Sequence, residues 1–258
     1  MNSVTQVVTQ TFLLAFAFGT QIYSPVVNTK LTGPGFFKLG TSLVLGCLVL
    51  ALGVSYYMEP GLVPRQWFCY IALILLNAIT FIFHRDHKSI LMWVIYGIEL
   101  ILFLSLIFLT YQNNPLWINF FLGTMMLLGI SNFAMILGHY YLVVPKLTEE
   151  PLIYCLFIFW VVIFLRMASS LSILFSTGLP YLAENTILGD GYMYNWLFIT
   201  MRWLWGYVAP LILSFFTYRL CKMRSIQSAT GVLYIVEFFV IVGELISVYL
   251  MTKHGLPL

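Results

Sequence analysis

Two carboxylates, Glu237 and Glu244, stand seven residues apart in a run that is otherwise apolar enough to cross a bilayer. That spacing places them on nearly one helical face. Two arginines, Arg166 and Arg202, and a third carboxylate, Glu99, sit in other apolar runs. A charge at membrane depth is costly and marks either a partner or a task. The chemistry on offer is proton transfer by a carboxylate, with guanidinium groups holding an anion or a carbonyl oxygen. If the helices bring these groups together, Glu244 and Glu237 become the candidate proton-handling residues. Arg202, Arg166 and Glu99 become the candidate ligand-binding residues.

Lipid must be the solvent for most of this chain. Of its 258 residues 61% are hydrophobic and 8% charged, against about 25% charged in soluble domains. The mean hydropathy is +0.96. The formal net charge of +3 includes no basic run long enough to bind nucleic acid. The four cysteines, Cys47, Cys69, Cys155 and Cys221, form no CxxC pair, so neither zinc nor an iron–sulfur cluster is suggested. Residues 1–24 lack a positive leader region and are punctuated by Gln6, Gln10 and Gln21, which reads as a retained first span rather than a signal peptide.

A span takes about 20 apolar residues. Eight candidates follow, at 4–24, 36–57, 66–83, 90–110, 117–143, 152–175, 193–220 and 226–251. The expectation is a single all-α, polytopic membrane bundle of about eight helices. The first span, rich in Thr and Gln, and the short third are its weakest members. With eight spans, one set of loops holds Lys30, Lys38, Arg85, Lys88, Lys146, Arg219, Lys222 and Arg224, and the opposite set holds Arg65 and Lys253. Positive residues collect on the cytoplasmic side, so both termini should face outward. On that side also lie Glu59, Glu184 and Asp190, the last two in a long loop near 176–192. In this arrangement Glu237 and Glu99 are central. Arg166, Arg202 and Glu244 fall toward the outer half, so a polar site opening outward is expected.

Aromatic residues crowd the start of the seventh span: Tyr192, Tyr194, Trp196, Trp203, Trp205 and Tyr207. They form either an interfacial belt or, with Trp203 nearest Arg202, a slot for a planar ring such as a quinone. His139 and Tyr140, in the run Gly138-His139-Tyr140-Tyr141-Leu142, lie near the cytoplasmic end of the fifth span. His139 has three readings: an interfacial hydrogen bond, a proton or quinone role, or a haem ligand opposite His84 or His87. Asp86 reads as a solvated partner of Arg85 or Lys88. The basic turn Arg219 to Arg224 reads as a topological anchor, or as a dock for a partner or an anionic lipid.

The final run, Gly243-Glu244-Leu245-Ile246-Ser247-Val248-Tyr249-Leu250, resembles the last span of the membrane anchors of DMSO-reductase-type and polysulfide-reductase-type respiratory complexes. The basic residue that follows Gly-Glu in those anchors is replaced here, with Ser247 and Val248 in its neighbourhood. The resemblance implies an inner-membrane subunit without its own metal. Such a subunit binds quinol through Glu244 and passes electrons to redox partner subunits. Against it stand an ion or solute transporter, which would show repeats or broken helices, and a structural, lipid-binding subunit. No repeat or break is visible in the sequence.

Overall fold

The computed structural model describes residues 3–27, 32–58, 62–83, 90–112, 114–143, 148–178 and 191–258. Lys30, Glu59, His84, Arg85, Asp86, His87, Lys88, Lys146, Glu184, Asp190 and the side chains of Tyr192 and Tyr194 lie outside the described residues.

Among the described residues, eight helical rods lie where the eight spans were expected. They are α1 (Val4–Ile22), α2 (Pro34–Tyr56), α3 (Pro64–Phe83), α4 (Ile90–Thr110), α5 (Pro115–Val143), α6 (Glu150–Ile173), α7 and α8 (Ile226–His254). The α7 rod is composite: α-helical over Gly191–Trp203, π-helical over Leu204–Val208 and α-helical again over Ala209–Lys222. Several starts follow from the sequence. Pro34, Pro64 and Pro115 each occupy the first helical position, where a missing N–H costs nothing. The Asn114 side chain accepts from the N–H groups of Leu116 and Trp117. Ser3 and Gln6 form a reciprocal capping box at α1. Gly255 ends α8 with φ 67°, a left-handed conformation that glycine adopts without penalty.

Among the described residues seven rods, all but α1, are long and apolar enough to cross a membrane. The protein is therefore a multi-pass helical membrane bundle. Helix α1 is long enough but more polar, and its place in the bundle explains why. It packs against α2, α5 and α8 and spends its polar side chains on neighbours. Gln10 donates to Ser55 of α2 at 2.8 Å, Thr11 accepts from Tyr111 at 3.0 Å, and Thr20 accepts from Asn132 of α5 at 2.8 Å. In a dry interior such pairs fix neighbours and register. At its closest approach to α5, Gly19 faces Gly129; a Cβ on Gly19 would lie 2.3 Å from the Met125 carbonyl oxygen.

Helix α5 is the axis: 78% of its spanning window is buried, against 22% for α4. Helices α1 and α8 flank it. Helices α2, α3 and α4 follow one another outward from α1, while α6 and α7 close the other side against α5 and α8. Val8 of α1 packs with Val248 and Met251 of α8, so both chain termini lie at one end of the bundle.

Candidate functional site

Three of the five intramembrane charges meet. Arg166 of α6, Arg202 of α7 and Glu244 of α8 converge in the half of the bundle nearer the termini. Arg202 Nη2 donates to Glu244 Oε1 at 2.8 Å, and Arg166 Nη2 stands 3.6 Å from Glu244 Oε2. Arg202 and Glu244 are fully buried, and Arg166 is 6% exposed.

Each guanidinium has its own cradle. Arg166 Nη2 also donates to Thr124 of α5 at 3.2 Å and to Ser247 of α8 at 3.3 Å. Its guanidinium carbon lies 4.8 Å from the centre of the Phe120 ring. Gly123 leaves room for it, since a Cβ there would sit 3.1 Å from Arg166 Nη1. Arg202 donates from Nη2 to the Tyr207 hydroxyl at 2.6 Å and from Nε to the Leu258 carbonyl at 3.2 Å. Its guanidinium lies 4.1 Å from the Tyr207 ring centre. The Tyr207 hydroxyl also meets Ser170 of α6 at 2.5 Å.

The π turn makes this possible. Five residues separate Arg202 from Tyr207, which on an α-helix puts them about 140° apart. Closing bonds five residues back instead of four brings both side chains to one face. Such π turns recur at functional sites. Gly206 inside the turn and Pro210 just past it are its marks in the sequence, since a mid-span proline removes a helical N–H; the expectation of unbroken spans is corrected here. Gly206 and Gly243 let α7 and α8 touch beside Arg202: a Cβ on Gly243 would lie 2.3 Å from the Gly206 Cα.

The site does not open outward as expected from the sequence. After Gly255 the chain turns back, burying Leu256, Pro257 and Leu258. Ser247 donates its hydroxyl proton to the Leu258 carbonyl, the same oxygen that Arg202 engages. This segment covers the ion cluster.

The other candidates lie apart from the trio. Glu237 sits two turns from Glu244 along α8, 5% exposed, beside Ser131 of α5 but with neither carboxyl oxygen in hydrogen-bonding geometry. The α5–α8 seam has a seven-residue polar rhythm on both helices: Thr124, Ser131 and Gly138 on one, Thr230, Glu237 and Glu244 on the other. At one end Thr230 donates to the Gly138 carbonyl at 2.9 Å; at the other Thr124 joins Arg166. Glu99 is fully buried and accepts from Gln21 of α1, so it belongs to the α1–α4 contact. His139 is exposed and its Nδ1 meets the Tyr234 hydroxyl at 2.8 Å. Tyr140 rests over Gly35 and edge-on against Phe36. Trp203 packs against Tyr207 at 5.3 Å, its indole nitrogen buried without a partner. Among the described residues no group of three or more His, Cys, Asp or Glu side chains could hold a metal.

Sequence reasoning missed Thr124, Ser170, Ser247 and the covering segment. Hydroxyl residues in apolar helices are too common to single out.

Chemically, the trio holds one carboxylate between two permanent positive charges. Arg166 Nε and Arg202 Nη1 are buried N–H donors with no acceptor. A guanidinium offers five donors in a fixed plane, so the cluster retains capacity for a further oxygen. No protein-family model, curated protein or solved structure matches this chain.

Proposed function

We propose that this chain is an integral subunit of an energy-transducing membrane assembly, binding quinol and accepting its protons. The observation that carries the proposal is the Arg166–Arg202–Glu244 trio with its unspent guanidinium donors beside Tyr207 and Trp203. Oxidising a quinol releases two protons and two electrons. The guanidinium N–H groups suit the ring oxygens, and a carboxylate suits the leaving protons. Glu237, on the same face of α8 beside Ser131, is the next proton stop along the α5–α8 seam. The electrons pass to a redox partner subunit. An arginine stands next to the Gly-Glu pair after all, supplied by α6: Arg166 bonds to Ser247. Entry requires the segment 255–258 to move aside.

The test is purification from native membranes in mild detergent, followed by quinone extraction and identification of bound subunits. Co-purified quinone and an iron–sulfur partner support the proposal. R202K and E244D should then cut quinol-dependent electron transfer about tenfold or more while the assembly stays intact on a native gel. Unaltered turnover in both variants sinks it. The π turn at mid-span of α7 favours one rival, a transporter with an interrupted helix. Solute uptake by the protein alone in vesicles would select that rival.

A further inference from the structure

The face of α6 and α7 turned away from the bundle carries a groove of about 470 Å³, lined by Trp160, Phe164, Leu211, Ile212, Phe215 and Phe216. Its walls are wholly apolar, yet one end is basic. Arg219 stacks its guanidinium 4.9 Å from the Phe215 ring centre. Lys222 holds its ammonium 5.7 Å from the ring of Tyr218. Tyr218 in turn packs on Trp160 at 5.4 Å. Both cations are exposed, and among the described residues neither pairs with a carboxylate. Glu149, the nearby acidic group, is engaged by Arg224 at 3.1 Å. Glu150, exposed at the start of α6, is the other carboxylate described at this end.

We infer that this groove and its basic rim form a binding site for one anionic glycerophospholipid, its phosphate between Arg219 and Lys222 and one acyl chain along the groove. Three observations converge. Ile212, Phe215, Phe216 and Arg219 share one helical face, so the apolar slot leads directly to the charge. From Ile212 to Arg219 is about 10 Å along the axis, a length that the upper part of an acyl chain fills. A neutral lipid or a partner's apolar helix would leave Arg219 without a counter-charge and Lys222 with only a share of Glu149, which Arg224 already engages, whereas a phosphodiester supplies one to both. The Trp160 indole is fixed by its bond to Ser214 at 2.8 Å, so the slot is preformed.

Native mass spectrometry of the full chain in detergent tests this with phosphatidylglycerol and phosphatidylcholine of identical chains. The wild-type chain is expected to retain one phosphatidylglycerol with about twentyfold preference, each basic residue near the headgroup counting for about a factor of five. R219Q/K222Q should reduce the preference to about twofold or less while phosphatidylcholine binding persists. R219K/K222R should keep the preference, separating charge from damage to the helix end. I212W, on the membrane face, should weaken both lipids by filling the slot. Equal binding of the two lipids to the wild-type chain would overturn the inference. So would a preference that survives R219Q/K222Q, or lipid binding indifferent to I212W.

Discussion

At the scale of single residues, the bundle tolerates Arg166, Arg202 and Glu244 because each has a counterpart. Glu244 is the shared one, so its loss strands two guanidinium groups. Removing one member of a buried ionic pair costs about 3–5 kcal/mol. E244Q should therefore lower the melting temperature in detergent markedly, followed by tryptophan fluorescence. Combining R202M with E244L should recover part of that loss, since one stranded guanidinium, that of Arg166, then remains instead of two. If the double variant melts below the single one, the pairing described here is wrong. Y207F is a finer probe. The ring beneath Arg202 survives, but the hydroxyl linking Arg202 to Ser170 goes. Hydrogen bonds to charged groups contribute about 1.5–3 kcal/mol, so a smaller but measurable fall in melting temperature is expected. Glu237 differs in kind from Glu244. It has no charged partner, only Ser131 of α5 beside it, so E237Q should leave stability nearly unchanged and, under the proposed function, slow proton release.

At the scale of elements, two devices position the site: the π turn of α7 and the glycine contact between α7 and α8. Deleting Leu204, an exposed residue in that turn, would restore α-helical register. It would rotate Arg202 by about 100° away from Glu244. The deletion should destabilise at least as much as E244Q, whereas L204A should be nearly silent. Equal melting temperatures for deletion and substitution would show that the turn does not aim Arg202. Gly243→Ala must push the two backbones apart, because its Cβ would meet the Gly206 Cα at 2.3 Å. It should yield little monodisperse protein by size-exclusion chromatography. Gly231→Ala, where a Cβ meets nothing within 4 Å, is the matched control and should elute like the parent protein. The same reasoning accounts for α1. Its Thr and Gln residues weaken it as a span on paper, yet they serve as its contacts to α2, α4 and α5.

At the scale of the molecule, three helices (α1, α5 and α8) form the interior and the other five shield it from lipid. The shared end for both termini is visible in the packing of Val8 with Val248 and Met251. The excess of basic residues in the opposite loops predicts that this end faces away from the cytoplasm. Single cysteines test it. S3C and K253C should react with an impermeant maleimide added outside the cell, and K222C only after the membrane is breached. The native thiols interfere little, since Cys69, Cys155 and Cys221 are buried and Cys47 is partly covered. Labelling of K222C from outside in intact cells would invert the topology. The one described pair at the opposite end, Glu149 with Arg224, behaves differently from the trio. The Glu149 carboxyl is held below its ordinary range by its own main-chain N–H and by Arg224. Its contribution is thus present above the ordinary carboxylate pKa and fades as pH falls through the lowered one. Exposure and salt make it slight.

The sequence alone determined the solvent, the all-helical class and which charged residues lie within apolar runs. Those properties depend on local runs, and a run of apolar residues about 20 long has few alternatives to a span. Proline and glycine punctuation fixed most helix starts for the same local reason. Only the tertiary structure decided which charges meet. Glu99, Glu237 and Glu244 look alike in the sequence. One bonds to a glutamine of α1, one stands beside a serine of α5, and one lies between two arginines. That outcome depends on helix rotation and crossing, set by two glycine contacts and one π turn, and none of these leaves a periodic trace in the chain.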